Sequence, residues 1–214
     1  PATSKSHCAQ TQARLDLTML DQYPRRLSWF FLLLTTCAGT TRASTVEYLD
    51  VEQLSERASY IYQGVIVDRS HSVVDEQTPV TKIRLALTRV MKTRVTETPS
   101  EGWPETIDVL LPGGVAEGRR FEISGMPRFH EGEEVILFLS TADEAGCHWP
   151  IGLGQAKFQI VREAGRPARA IQSLNGMQRL DLGTRKPVAA TGTHLLTDLL
   201  ERIDLTVGLP AGPR

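Results

Sequence analysis

The sequence predicts a mainly β fold: a small barrel, closed or partly open, preceded by a short N-terminal helix and followed by an amphipathic C-terminal helix. Three observations carry this expectation. About six short segments of β-branched, aromatic or alternating residues lie between positions 60 and 174. Glycines interrupt or bound them, as the bulges and sharp bends of a small barrel require. Segments of helical character flank them on both sides.

The elements follow in order. Asp50 is placed to cap a short helix, with Gln53 three residues on completing a capping box and Val51, Leu54 and Ala58 facing inward. Tyr60–Val67 (YIYQGVIV) then reads as a strand, with Gly64 marking a bulge or bend. Residues 68–80 (DRSHSVVDEQTPV) read as a polar hairpin tip. In Thr81–Met91, Ile83, Leu85 and Leu87 alternate with Lys82, Arg84 and Ala86, the two-residue period of a half-buried strand. The phase slips near Val90, which predicts a second bulge. A Thr-, Pro- and Glu-rich loop fills 93–104.

Thr106–Leu111 is a third strand, ended by Pro112-Gly113-Gly114, since proline lacks a ladder donor and glycine takes positive φ freely. Arg119–Ser124 reads as a short or edge strand, and Met126–Glu134 as a turn. Val135–Leu139 (VILFL) is apolar without a break, which predicts the most buried strand. Ala156–Arg162 alternates again, and Arg169–Leu174 is expected to pair with it across Ala164-Gly165-Arg166-Pro167. In the C-terminal helix, Leu195, Leu196, Leu199, Leu200 and Ile203 fall on one face.

Upstream of all this, the chain opens with Pro1 and its first methionine is Met19, so residues 1–18 are expected to be an upstream, non-native extension. Residues 19–43 have the order of a secretory signal. Arg25-Arg26 is the positive start, Leu27–Gly39 the apolar run and Arg42-Ala43-Ser44 the cleavage region. The apolar run is too short for a permanent span, which takes roughly 20 residues. The remaining divisions are a β-barrel domain over 44–183, a linker over 184–192, the helix over 193–205 and a tail over 206–214.

The full chain has 24 basic and 25 acidic residues, a balance that excludes a strongly basic nucleic-acid binder. Cleavage after Ala43 leaves 19 basic and 23 acidic residues. It also removes Cys8 and Cys37, so that only Cys147 of the three cysteines stays and the fold rests on its core. Leu34-Thr35-Thr36-Cys37 is the variant to this reading, a lipobox-like string that would put a lipid on Cys37, although Thr36 departs from the very small residue such a box needs.

The residues carry a resemblance. LDVEQLSERASYIYQGVIV, TKIRLALTRVMK, the Pro-Gly-Gly turn at Leu111–Gly114, Gly125-Met-Pro-Arg-Phe129, Gly132-Glu-Glu before VILFL, and Gly152-Leu-Gly-Gln-Ala-Lys-Phe158 occur in that order. Together they resemble a group of secreted bacterial proteins of unknown function, over about residues 46–175 and most specifically Gly125–Leu139. The strand order is also similar to the OB-like barrel of tissue metalloproteinase inhibitors and netrin-type modules. Those inhibitors place an N-terminal cysteine on the protease metal. Here the expected mature end is Ser44, so the likeness implies topology and not inhibition.

Candidate chemistry is sparse. Cys147-His148 supplies a thiol beside an imidazole, but neighbours on a strand point to opposite faces, so Cys147 reads as an inert thiol near a turn. His71, His130, His148 and His194 have no HxH or HExxH spacing. Glu131, Glu133 and Glu134 read as a charged turn beside a buried strand. Gly152-Leu153-Gly154 reads as a bend rather than a phosphate cradle. Arg119-Arg120 with Arg128 and Phe129 could grip an anion such as a nucleic-acid strand, and the acidic balance of the chain after cleavage argues against that use.

The expectation is thus a secreted or periplasmic, non-enzymatic binding module for a macromolecular or envelope partner. No catalytic, metal or cofactor-binding residue is assigned, no cofactor or nucleic acid is expected, and no transmembrane segment is expected after cleavage. The alternatives are a secreted hydrolase with a dispersed site, and an envelope component anchored through Cys37.

Overall fold

A computed structural model describes residues 45–74, 78–94, 102–172, 174, 177–188 and 192–208. The chain divides into two units, Pro1–Arg42 and Ala43–Arg214, and every described residue belongs to the second. The expected extension, signal peptide and Cys37 lie outside the described residues, as do 189–191 and 209–214.

The protein is mainly β. Strand β1 (Thr45–Glu47) leads into helix α1 (Val51–Arg57). Asp50 accepts the Gln53 amide at 2.8 Å, and the Gln53 side chain accepts the Asp50 amide at 3.1 Å, so the capping box closes as the sequence spells it. Strands β2 (Tyr60–Val74) and β3 (Thr78–Lys92) form a long antiparallel hairpin, followed by β4 (Thr106–Pro112). A small ribbon of β5 (Gly114–Ala116) and β6 (Arg119–Phe121) comes next. After it come β7 (Glu134–Ala142), β8 (His148–Pro150), a 3-10 turn at Leu153–Ala156, β9 (Lys157–Val161) and β10 (Arg169–Gln172). Strands β11 (Gln178–Asp181), β12 (Lys186–Val188) and β13 (Thr193–Leu195) precede helix α2 (Leu196–Val207).

The main sheet runs β13-β10-β9-β7-β2-β3-β4, with β8 also on β7. Among the described residues no sheet closes on itself as a barrel. The hairpin is longer than its composition suggests. Most of 68–80 is ladder rather than tip, with Asp68 opposite Arg84 and Val74 opposite Thr78. Polar side chains hide a strand there because residues 69–73 of β2 are exposed on both faces, so no apolar alternation is needed on that side of the hairpin. Ladder irregularities fall at Gln63/Gly64 and Ile61/Tyr62, the latter opposite Val90–Lys92. Both were marked in the sequence, by the mid-strand glycine and the phase slip. A third, between Ile66 and Asp68, has no such mark.

Strand β7 divides two apolar clusters. Ile136 and Phe138 face Leu54, Ile61, Phe158, Leu199 and Ile203 on the helical side. Val135, Leu137 and Leu139 face Ile66, Ile83, Leu85, Leu111 and Phe129 on the other. Apolar residues on both faces are why VILFL runs without alternation. Helix α2 buries Leu196, Leu199 and Ile203, while Leu195 ends β13 and is exposed. Two ion pairs seat this helix: Arg89 holds both oxygens of buried Asp204 at 2.9 Å, and Arg202 grips Glu52 of α1.

Candidate functional site

One open cleft of about 430 Å³ lies between the outer part of the β2–β3 hairpin, the β5–β6 ribbon and the 122–130 segment. That size suits a small ligand or a few residues of a larger one. Its construction begins at the Pro-Gly-Gly turn. Gly113 has φ +90°, which only glycine adopts without strain. A Cβ on Gly114 would lie 2.7 Å from the Val80 carbonyl oxygen and 3.1 Å from His71 Nδ1, so the ribbon can cross the hairpin only without one. Thr81 donates to the Gly113 carbonyl at 2.8 Å, and His71 Nδ1 stands 3.2 Å from the Thr81 hydroxyl.

The facing wall is the loop expected as a turn. It has no regular structure and is pinned at both ends. Gly125 takes φ +84° and its carbonyl accepts the Gly154 amide at 2.8 Å. Gly132 donates to the Ile66 carbonyl at 2.8 Å, and Ile66 donates back to Glu133 at 2.9 Å. Between these pins, Phe129 plugs the second apolar cluster, and Arg128 and His130 stay exposed on either side of it.

The lining is cationic. Arg69, Arg120 and Arg128 line the cleft together with His71 and His130, and Glu122 is the carboxylate among them. Glu122 already pairs with Arg120 at 3.1 Å. Phe121, nearly half exposed, stands at the rim on β6. Arginine forks, with exposed apolar surface beside them, recognise carboxylate or phosphate groups carried on a partly apolar ligand.

The anion grip read from sequence is therefore assembled in part. Arg120 and Arg128 meet in the cleft. Phe129 forms part of the wall but is buried in the core, and Arg119 is exposed outside the lining. Arg69 and His71 join from a segment read as a hairpin tip, and only the pairing of β2 with β3 brings them there.

The other candidates separate. Cys147 is buried, its main chain tied to Asp143 at both the amide and the carbonyl. The His148 ring lies edge-on to Tyr60 with Nδ1 2.9 Å from the Ser140 carbonyl. Burial pushes the neighbouring Tyr62 hydroxyl up to about 12. Glu131 is exposed, Glu134 is held by Arg162 at 2.8 Å, and Glu133 points inward. Gly152 and Leu153 both take positive φ and open the 3-10 turn. Its Gln155 accepts the Leu49 amide and donates to the Glu47 carbonyl, so the segment is a bend that ties down the N-terminal strand. Among the described residues no three His, Cys, Asp or Glu side chains are grouped to hold a metal ion. Nor is any described helix long and apolar enough to cross a membrane.

His194 lines a second, smaller cavity of about 210 Å³ with Tyr48, Arg179 and Arg202. Burial and the Arg202 charge hold its imidazole below the ordinary value. Arg179 is buried there, against Gln172 at 2.9 Å and the Tyr48 ring at 5.1 Å.

Lys157 escaped the sequence reading. Its alternation with Phe158 assigns it to a polar face, yet it is buried directly opposite Leu137. Its ammonium lies 2.5 Å from both the Arg128 carbonyl and a Glu133 oxygen, and 5.0 Å from the Phe129 ring centre. Burial lowers its pKa, with Glu133 opposing. For Glu133, burial opposes ionisation, but hydrogen bonds from Lys157 and His130 outweigh it and hold the carboxyl below the usual range. Nothing local in the sequence marks Lys157, because its carboxylate partner Glu133 lies 24 positions away.

No family model and no curated protein matches this chain.

Proposed function

We propose that this chain is a non-enzymatic binding module of an exported protein, and that its basic cleft receives an anionic segment of a macromolecular partner. The observation that carries the reading is the lining. Three arginines and two histidines line the cleft with one carboxylate, Glu122, which pairs with Arg120 and leaves Arg69 and Arg128 as the excess positive charge of the lining. A hydrolytic site built on carboxylates would need acidic groups converging on one space, and Glu131, Glu133 and Glu134 diverge into separate contacts. Export rests on the order of residues 19–43. The strand succession β2-β3-β4, with β7 returning to pair with β2, supports kinship with partly open OB-like barrels, a fold that often carries ligands on its face and loops.

Poly-L-glutamate, titrated calorimetrically into the protein at low salt, tests the reading, with poly-L-lysine as the control. The wild type should bind the polyanion, and more weakly as salt rises. Arg128→Glu should weaken binding by about tenfold, or ~1.4 kcal/mol, and Arg69→Glu by a similar factor. Absence of wild-type binding, or binding by both variants as tight as the wild type's, overturns the proposal.

A further inference from the structure

Three segments that the sequence singled out separately come together behind the cleft: Gly125-Met-Pro-Arg-Phe129, Gly132-Glu-Glu, and Gly152–Phe158. Their meeting point is the Lys157 ammonium. We propose that Lys157 and Glu133 are the positioning pair of the cleft, holding the loop so that Arg128 and His130 are presented to an anionic ligand. The inference deepens the binding reading above and rests on it.

The geometry supports a positioning role in three ways. First, the loop has no ladder of its own, and its backbone pins lie at Gly125 and at Gly132–Glu133. The stretch that carries Arg128 lies between them, and the Lys157 bond to the Arg128 carbonyl fixes that stretch directly. Second, Glu133 connects the ammonium to the ligand-facing side. It accepts the Lys157 proton donor on one oxygen and the His130 main-chain amide, at 3.1 Å, on the same carboxylate. The His130 ring nitrogen lies 2.9 Å from the other oxygen. Third, Lys157 itself is only 3% exposed at its side chain, so it does not reach the ligand. Its charge acts through the loop.

A buried ion pair is a costly way to gain stability and a good way to fix geometry, since each partner demands the other in one position. Deleting both charges together leaves the protein's net charge unchanged. Long-range attraction for an anion therefore stays the same, and any loss of affinity reports the loop.

The test is a cycle on poly-L-glutamate binding with wild type, Lys157→Met/Glu133→Gln, Arg128→Ala and the triple variant. The paired neutral variant avoids an uncompensated buried carboxylate, and a cooperative thermal melt verifies that it folds. It should bind about tenfold more weakly, and Arg128→Ala should cost much less in that background than in the wild type, because the two changes act through one contact. Hydrogen exchange should quicken at the 126–133 amides while β2, β3 and β7 stay protected. Unchanged affinity, a fully additive cycle, or unchanged exchange in the loop overturns the proposal while the wild type still binds. A wild type that fails to bind the polymer removes the cleft reading itself, which is a different outcome.

Discussion

Gly64 shows how one missing atom sets the course of the main hairpin. A Cβ there would stand 2.2 Å from the Ala86 carbonyl oxygen and 2.9 Å from Leu85 Cγ. Neither neighbour can withdraw easily, because one is backbone and the other is a fully buried side chain. Gly64→Ala should therefore cost about 3 kcal/mol, the upper part of the overpacking range. Gly165→Ala is the informative contrast: its φ of +74° strains alanine, but nothing lies within 4 Å of the added atom. Urea melts of both variants check this, and a Gly64→Ala midpoint equal to wild type would refute the close approach. At this scale the sequence was legible where one residue type has one use. Glycine in a strand and aspartate before a helix declared themselves. Lys157 and Arg179 did not, because a buried cation looks like any exposed one until its partners, many residues away, are placed beside it.

Among the elements, α1 depends most on its ends. Seven residues are too few for a stable helix in water, so the cap and the tertiary contacts hold it. Asp50→Ala removes the side-chain acceptor of the Gln53 amide, while the backbone amide at position 50 can still donate to the Gln53 side chain, and should cost about 1 kcal/mol, read as a lower thermal midpoint with unchanged unfolding cooperativity. Asp50→Ser should recover most of it. Elements were legible wherever burial shapes the sequence, by alternation in β3 and β9 and by an unbroken apolar run in β7. They were hidden in the outer hairpin and the small strands. Short strands such as β8 and β13 bury too little to print a pattern, and their pairing depends on partners distant in sequence. The cleft inherits this. Arg120 and Arg128 were suspected from proximity in sequence, whereas Arg69 and His71 arrive only through strand pairing.

For the whole molecule, acid stability follows from the groups whose pKa the fold lowers. His194 has a lowered pKa in the folded chain, so folding favours the neutral ring. Its contribution is complete above the ordinary 6.5 and is lost as pH falls through the folded value. Glu52, Glu133 and Glu134 are also lowered in the folded state. Their contribution is complete above the ordinary 4.5 and is lost as pH falls through their folded values. The thermal midpoint should hence drop in two stages below neutrality, and His194→Gln should flatten the first stage while leaving the second. A midpoint that rises on acidification from pH 7 to 5 would contradict the assignment. On the exposed side, Arg84 and Lys82 hold Asp108 at about 2, so this carboxylate stays ionised well below the ordinary 3.8.

The double-sided grease of β7 has a cost of its own. In most strands a one-place slide is self-correcting, because it drives charged groups inward and oily ones into water. Here a slide would merely exchange Val135, Leu137 and Leu139 for Ile136 and Phe138, and solvent would not object. Proofreading falls to the strand's two ends, where Glu134 reaches Gln63 and Arg162, and where the Ser140 hydroxyl and carbonyl meet the Trp149 amide and His148 ring. Those few polar clasps, rather than the oily middle, decide which way the centre of the molecule locks.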